Sequence, residues 1–367
     1  MNGFWKTLTQ MRQPETTPEA SVAFKPLRIV GRGICCAVGH TAPAATAAIN
    51  ARMNHFRETD FLAEGQEPIV GAALHEVDIW GAARWRDMLQ RVLGECLAPR
   101  QPLPPEAAPL IVVLAPEAGR PGAGAHWLPE ALDDAQVALG LRCHADSTVL
   151  PLGKAGLAAA LRRVSQHLQQ ARSDSAFGIV VAVDSFLSAP VINHYLAAER
   201  IKTADNSDGF IPGEGAAAIV LTRHTDPHAR GVWIEGVGEA VEQAHWGSDR
   251  PNRAQALVQA MRQAAAQAGC KVADQAFQIS GMTGESAYFK EATLAIGRAL
   301  EHRVEQFPHE LLARSVGEIG AANGVLTLAW LADAMTRRAG PGERGLLHLA
   351  NDDGLRSALI VRYREAS

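Results

Sequence analysis

The sequence predicts an α/β fold in two similar halves, each a largely parallel sheet covered by helices. Apolar runs of strand length alternate with amphipathic or Ala-rich runs of helix length over most of the chain, the pattern of β-α-β units. At 367 residues the chain exceeds one simple core, so two packed subdomains are expected. The 208–216 stretch, Asp-Gly-Phe-Ile-Pro-Gly-Glu-Gly-Ala, sets glycines at the mouth of an apolar run, Ala216 to Leu221, with the length and branching of a buried strand. Glycines so placed mean that backbone approaches something closely or takes φ values other residues avoid.

Residues 1–26 are polar and rich in Pro, Thr and Glu; they read as an N-terminal extension from which Phe4 and Trp5 stand out as docking side chains. Residues 27–30 form a strand and 43–53 an Ala-rich helix. An amphipathic segment covers 80–97, a buried strand 110–114 and a further strand 143–149. A helix over 155–171 leads to a core strand, 177–183, running into Asp184-Ser185. Past the glycine-rich stretch come a long strand at 232–241, a helix at 254–268 and a short strand at 277–280. A long apolar helix, 321–335, and a hairpin of 346–350 with 357–363 close the chain. Asp226-Pro227 and a charge cluster place the boundary near 224–230, dividing a first half, 27–229, from a second, 230–367. The Pro-rich loop at 99–109 falls inside the first half. No short-period repeat is visible, and two halves of related topology are expected.

Apolar content of 47% and charge of 20% are those of a soluble globular protein. A net charge of −4 gives no support for a nucleic-acid or anionic-membrane partner. No apolar run approaches the roughly 20 residues of a membrane span, and Lys6 and Arg12 enclose no apolar signal core. The five cysteines are scattered, with no Cys-x-x-Cys, which fits a reducing cytoplasm and neither a disulfide framework nor a zinc site. The 13 histidines include no pair spaced by four on a common helix, so neither metal nor cofactor is expected.

The 208–216 stretch resembles the Asp-Gly-Phe-x-x-Gly-Glu-Gly-Ala signature of the β-ketoacyl synthases of the thiolase superfamily. The resemblance extends over residues 27–364. Leu27 to Gly33, with Gly39, resembles the opening strand and glycine turn, and 180–185 the strand before the dimer-side loop. Gly317-Glu318-Ile319-Gly320-Ala321-Ala322-Asn323-Gly324 resembles the late glycine-alanine turn and buried helix. Matches in this order imply a thiolase-like fold: two βαβαβ halves in a five-layered α-β-α-β-α sandwich. They also imply homodimerisation through the strand at 177–183.

A condensing enzyme of this kind needs a cysteine at a helix N-terminus, where the dipole favours thiolate. It also needs histidines that polarise the thioester carbonyl and assist decarboxylation. The resemblance puts the nucleophile at Gly153 and the two histidine positions at Gly281 and Glu318. A lysine upstream of the latter is missing at Ala313-Arg314, and the closing loop, Asn351 to Arg356, lacks its gating aromatic. Glycine carries neither nucleophile nor proton donor, and losing one member of such a set costs orders of magnitude. All three are lost together, which implies a scaffold in non-catalytic use. A vestigial pocket would be lined by Lys154, Glu214, Thr283, Glu318 and Asp353.

Other chemical candidates read more simply as structure. Cys143-His144 with Asp146 has the residue types of a catalytic set, but neighbours on a strand face opposite ways. Cys35-Cys36 are expected in the core. Glu318 at a helix start is a cap, and Lys154 a solvated first-turn lysine. Glu285 and Glu291 read as surface carboxylates, and 119–124 as a flexible glycine connection rather than a phosphate loop. Glu214 reads as a buried, hydrogen-bonded fold element rather than a base. Three functions follow: a ketosynthase-like pseudoenzyme acting as protein-binding scaffold, adaptor or chaperone, for instance of a type VI secretion effector; a partner subunit akin to a chain-length factor, engaging a ketosynthase or acyl carrier protein; or an acyltransferase with chemistry relocated to Glu318, Cys143 or His144.

Overall fold

The computed structural model describes residues 24–103, 107–173, 175–223 and 229–365. The first part runs β1 (Leu27–Cys36), α1 (Ala42–Asn50), β2 (Arg57–Leu62), β3 (Pro68–Gly71), α2 (Gly81–Leu97), β4 (Leu110–Leu114), α3 (Leu128–Leu139), β5 (Thr148–Leu150), α4 (Leu157–Gln170), β6 (Phe177–Ser185), α5 (Ala189–Ala197) and β7 (Glu214–Arg223). The second runs β8 (Gly231–Val241), α6 (Gln255–Gln267), β9 (Phe277–Ser280), α7 (Ser286–Ala299), β10 (His309–Leu311), α8 (Ala313–Val316), α9 (Ala322–Ala334), β11 (Arg344–Ala350) and β12 (Leu355–Arg364).

The strand order β10-β9-β11-β12-β8-β1-β7-β6-β4-β5 is one arrangement of five strands used twice. From β1, antiparallel pairing to β7 and β6 gives way to parallel pairing with β4 and β5. From β8, antiparallel pairing to β12 and β11 gives way to parallel pairing with β9 and β10. The two sheets meet edge to edge where Leu27 and Arg28 pair with Ile234 and Trp233.

Each sheet buries its faces against helices. Trp85, Met88 and Leu89 of α2 and Leu132 of α3 pack on Ile111, Val113 and Val181. Leu257 and Met261 of α6 and Ala295 of α7 pack on Leu346 and Ile360. Between the sheets, Leu161 and Val164 of α4 and Val325 and Leu328 of α9 share one core with Val112, Val180, Leu347 and Leu359. The α9 helix is largely apolar on every face because it is buried along most of its length, Ala332 and Asp333 excepted. The result is an α-β-α-β-α sandwich. A smaller cluster, including Ile69, Phe186, Tyr195 and Phe210, places the β2–β3 ribbon over the carboxyl end of β6.

The repeat extends to side-chain detail. On β1, a Cβ added to Gly31 or Gly33 would lie 2.5 Å from the Cys96 carbonyl oxygen or 2.2 Å from that of Val92, both on α2. On β8, a Cβ on Gly236 or Gly238 would lie 2.1 Å from the Ala264 oxygen or 1.9 Å from that of Ala260, both on α6. Each outer helix thus lies on a pair of glycines, two residues apart, in the first strand of its half.

Several expectations need correction. The strand at 143–149 shrinks to β5, because a turn closed by Ser147 N donating to the His144 carbonyl occupies its first half. The strand at 177–183 cannot carry a dimer contact, since β6 is hydrogen-bonded to β4 on one side and β7 on the other. Among the described residues, the outermost strands of the ten-stranded sheet are β5 and β10. The sequence reading also missed α3, α5, α7 and the β2–β3 ribbon. Residues 1–23, with Phe4 and Trp5, and 224–228 at the expected boundary lie outside the described residues. No helix among the described residues is long and apolar enough to cross a membrane.

The glycine contacts define a test. Replacing Gly33 or Gly238 by Ala forces the outer helix off its sheet and should cost about 1–3 kcal/mol. Urea unfolding of G33A and G238A measures it, and wild-type midpoints would contradict the close-packing account.

Candidate functional site

The glycine-rich 208–216 stretch shows what its glycines are for. None of Gly209, Gly213 and Gly215 has a positive φ; close approach requires them instead. A Cβ on Gly209 would meet the backbone of Ile201 at 2.7 Å, and one on Gly213 the Val316 carbonyl oxygen at 2.6 Å. Gly213 N then donates to the Glu318 carbonyl, and Glu318 N to that of Ile211. The stretch therefore holds the 317–320 turn of the second half against the first. Glu214 is buried: it accepts from Leu74 N at 2.8 Å and from Arg84 Nε at 2.7 Å, with Arg84 Nη2 also upon it. It fixes the start of β7.

Gly153 follows β5 and precedes the helical turn into α4. Its φ of +58° and ψ of −162° belong to a region reserved almost wholly for glycine. A Cβ there would lie 2.3 Å from the Glu117 carboxyl carbon, so the Glu117 side chain fills the space of a side chain at 153. Gly281 is occluded too: its Cβ would lie 2.8 Å from Leu349 Cδ2, 3.1 Å from Asn323 Oδ1 and 3.3 Å from Lys154 Cδ. Asn351 locks the turn by accepting from Ala155 N and donating to the Leu152 carbonyl.

Lys154 is not solvated. It donates to Glu318 Oε2 at 2.5 Å and to the Gly281 carbonyl at 3.2 Å, with its side chain 13% exposed. Burial would lower its pKa, but Glu318 keeps it raised. Glu318 also accepts from Thr283 Oγ1 at 3.1 Å and from Gly320 N at 2.7 Å. The positions read as a histidine and a solvated lysine are thus one buried ion pair between the halves.

Beside it, Asp184 at the end of β6 accepts from Ala321 N at 2.8 Å, at the start of α9, and from Arg120 Nη2. Burial raises the Asp184 carboxyl, while Arg120 acts against that rise. Arg120 is buried, contrary to a flexible 119–124 loop; its guanidinium stacks 4.2 Å from the Phe186 ring centroid. Glu117, at the other end of the turn closed by Arg120 N donating to its carbonyl, is pushed up to about 7, chiefly by burial and against the pull of Arg120.

Arg200 forms the opposite wall. It donates bidentately to Glu285, at 2.6 and 3.1 Å, and to Asp352, at 2.6 and 3.0 Å, and lies 4.2 Å from the Trp246 ring centroid. Tyr288 donates to Asp352 as well. Glu285 is accordingly buried, as is Glu291, which pairs with Arg356; neither is a surface carboxylate. Asp353 is exposed and caps Leu355 N, so its neighbour Asp352 faces the site in its place. The space left among Glu117, Lys154, Arg200, Tyr288, Glu318 and Asp352 is about 20 Å³, and a second cavity behind Gly281 is equally small. Each has room for roughly one water, where small-molecule sites measure about 300–1,000 Å³.

The structure does not join Cys143 and His144 to this site. His144 N donates to the Pro109 carbonyl, before β4, whereas Gly153 follows the carboxyl end of the parallel β5. Burial pushes the Cys143 thiol up to about 11, Cys36 to about 11 and Cys35 to about 12, so none is a ready thiolate. Sequence reasoning missed Glu117, Arg120, Asp184, Arg200 and Asp352. A signal existed for the first two: charged residues in a Gly/Pro loop just after a parallel strand stand where α/β sheets assemble their sites.

No family model matches the sequence, and no curated protein matches it. Solved structures do. The type II polyketide synthase assembly AntDE:AntF, an acyl-carrier protein with its ketosynthase, supplies a chain matching at TM-score 0.73 and 13% identity, covering 93% of this chain and all of that one. The oxazolomycin ketosynthase domain of Streptomyces albus matches at TM-score 0.71 and 12% identity, over 94% of this chain and 76% of that one. The ketosynthase ApeO with its chain length factor ApeC, from Xenorhabdus doucetiae, matches at 0.66 and 14%, over 92% and 98%. The protein has the thiolase-like fold of ketosynthases and chain length factors.

Two outcomes follow from Gly153 and Glu117. Substitution G153A combines backbone strain with overlap and should destabilise by about 3 kcal/mol; adding E117G should restore the overlap part alone. Chemical denaturation of the single and double variants checks this, and full additivity would contradict the shared volume. A carboxyl with a folded pKa of about 7 against an ordinary 4.5 stabilises the fold fully at low pH, and that contribution fades as pH rises through 7. E117Q should therefore flatten the pH dependence and gain on the order of 3 kcal/mol over wild type by pH 8. Parallel pH profiles for the two proteins would refute it.

Proposed function

We propose that this chain is a non-condensing, ketosynthase-like protein that works by binding another protein. The Glu117 carboxyl in the space of a residue-153 side chain carries this reading, supported by cavities of about 20 Å³ where an acyl chain would have to lie. A thioester has neither an attacking group nor room at this centre. The role is that of scaffold, adaptor or chaperone in the cytoplasm, with a secretion effector of the type VI kind as its specific version. A homodimer would form through β5, whose outer backbone edge pairs with no strand among the described residues.

A chain-length-factor-like role is the second reading. It is favoured by the solved structures in which this fold sits beside a ketosynthase or an acyl-carrier protein. The closed centre weighs against the acyl-shaping part of that role, though not against pairing.

Intact-mass spectrometry after incubation with acyl-CoA and with acylated carrier protein is the deciding experiment. No acyl adduct is expected on any residue; a stoichiometric adduct would overturn the non-condensing reading. Co-expression with a ketosynthase that yields a stable heterodimer would select the second reading over the first.

A further inference from the structure

The outward face of α7 carries an open surface groove of about 890 Å³. Phe289, Thr293, Leu294 and Gly297 line it, together with Lys290 and Arg298. Solvent-facing helix surfaces are ordinarily polar. Here Leu294 is 36% exposed, and nothing lies within 4 Å of where a Gly297 Cβ would be. Glycine in a helix interior costs about 1 kcal/mol against Ala, and here it fills no packing need of the chain itself. A small residue between apolar ridges is the relief that lets a second helix approach closely.

Charge decides what fits. No acidic residue lines the groove among the described residues. Asp208 stands at its end but caps the helix, accepting from both Ser286 N and Ser286 Oγ at 2.6 Å. Arg262 donates to the Arg298 carbonyl and Arg298 to the Arg253 carbonyl, so these guanidinium groups meet neutral oxygens. A second copy of α7 packed antiparallel would set Lys290 against Arg298, like against like. Residues 1–13 of this chain hold Lys6 and Arg12 and no carboxylate, and so carry the same sign.

We propose that the outer face of α7 is a docking groove for an acidic amphipathic helix of a partner protein. The apolar stripe of that helix would lie over Phe289, Leu294 and Gly297, and its flanking carboxylates would meet Lys290 and Arg298. This rests on the protein-binding reading and locates it, but needs nothing of acyl chemistry, so a failure here leaves the acyl-adduct experiment standing on its own.

Fluorescence anisotropy of the full chain with a labelled, helix-forming Glu/Leu peptide, its leucines spaced three and four apart, is the test. Saturable binding that weakens with salt is expected, and about tenfold weaker binding for K290E/R298E. A second variant, G297F, leaves the charges intact and fills the groove, and should also weaken binding about tenfold. All three positions face solvent, so unchanged melting curves are expected and certify the fold. Absence of saturable binding overturns the proposal. So do equal affinity for both variants and wild type, or equal affinity for a Lys/Leu peptide of the same pattern.

Discussion

A buried charge must find its partner inside the protein, and here several of the first half's charges find theirs in the second. Lys154 meets Glu318, Arg200 meets Glu285 and Asp352, and Asp184 caps the backbone of Ala321. Removing one member of such a pair strands the other without water, at a typical cost of about 3–5 kcal/mol. The two sheets touch along their β1/β8 edge for only two residue pairs, so their relative placement depends on the shared α4–α9 layer and on these cross-half contacts. The 208–216 stretch belongs to the same constraint. Its glycines admit the 317–320 turn close enough for Glu318 to reach Lys154.

The twofold use of one five-strand plan explains why polar contacts gather at this end. In each half the parallel strands point their carboxyl ends the same way, toward the loops that bear Glu117 and Gly153 in one and Gly281 and Asp352 in the other. The glycine pairs on β1 and β8 set α2 and α6 close to their sheets and so fix the outer layers. Apolar packing then occupies the outer layers, and the polar contacts that cross between halves gather at the seam.

Legibility in the sequence followed the range of the forces involved. A continuous apolar run gave the strand at 110–114 to the residue, because burial on both faces leaves one local signature, and Phe277 and Ile279, two apart, marked the strand at 277–280. The α7 helix was overlooked since Gly297 and two β-branched residues weaken its periodic signal, and its outer face is not polar. Proline at the first turn of α3 and α5 was compatible with a turn as well as a helix start. At the site, Glu285, Glu291 and Lys154 read as solvated because a charge's partner lies about 65–165 residues away, where no local pattern reaches. Asp352 and Asp353 differ by one register step, and only the turn after β11 decides which carboxylate faces inward.

Closure of the centre also resists its opening. Adding a side chain at 153 requires moving Glu117, and adding one at 281 requires moving Leu349 and Lys154 together. Replacing Glu318 leaves Lys154 buried without a counter-charge. Each single change therefore meets a loss of packing or of charge compensation. Lys154 and Glu318 are held by one another and, through that pair, hold the two halves together.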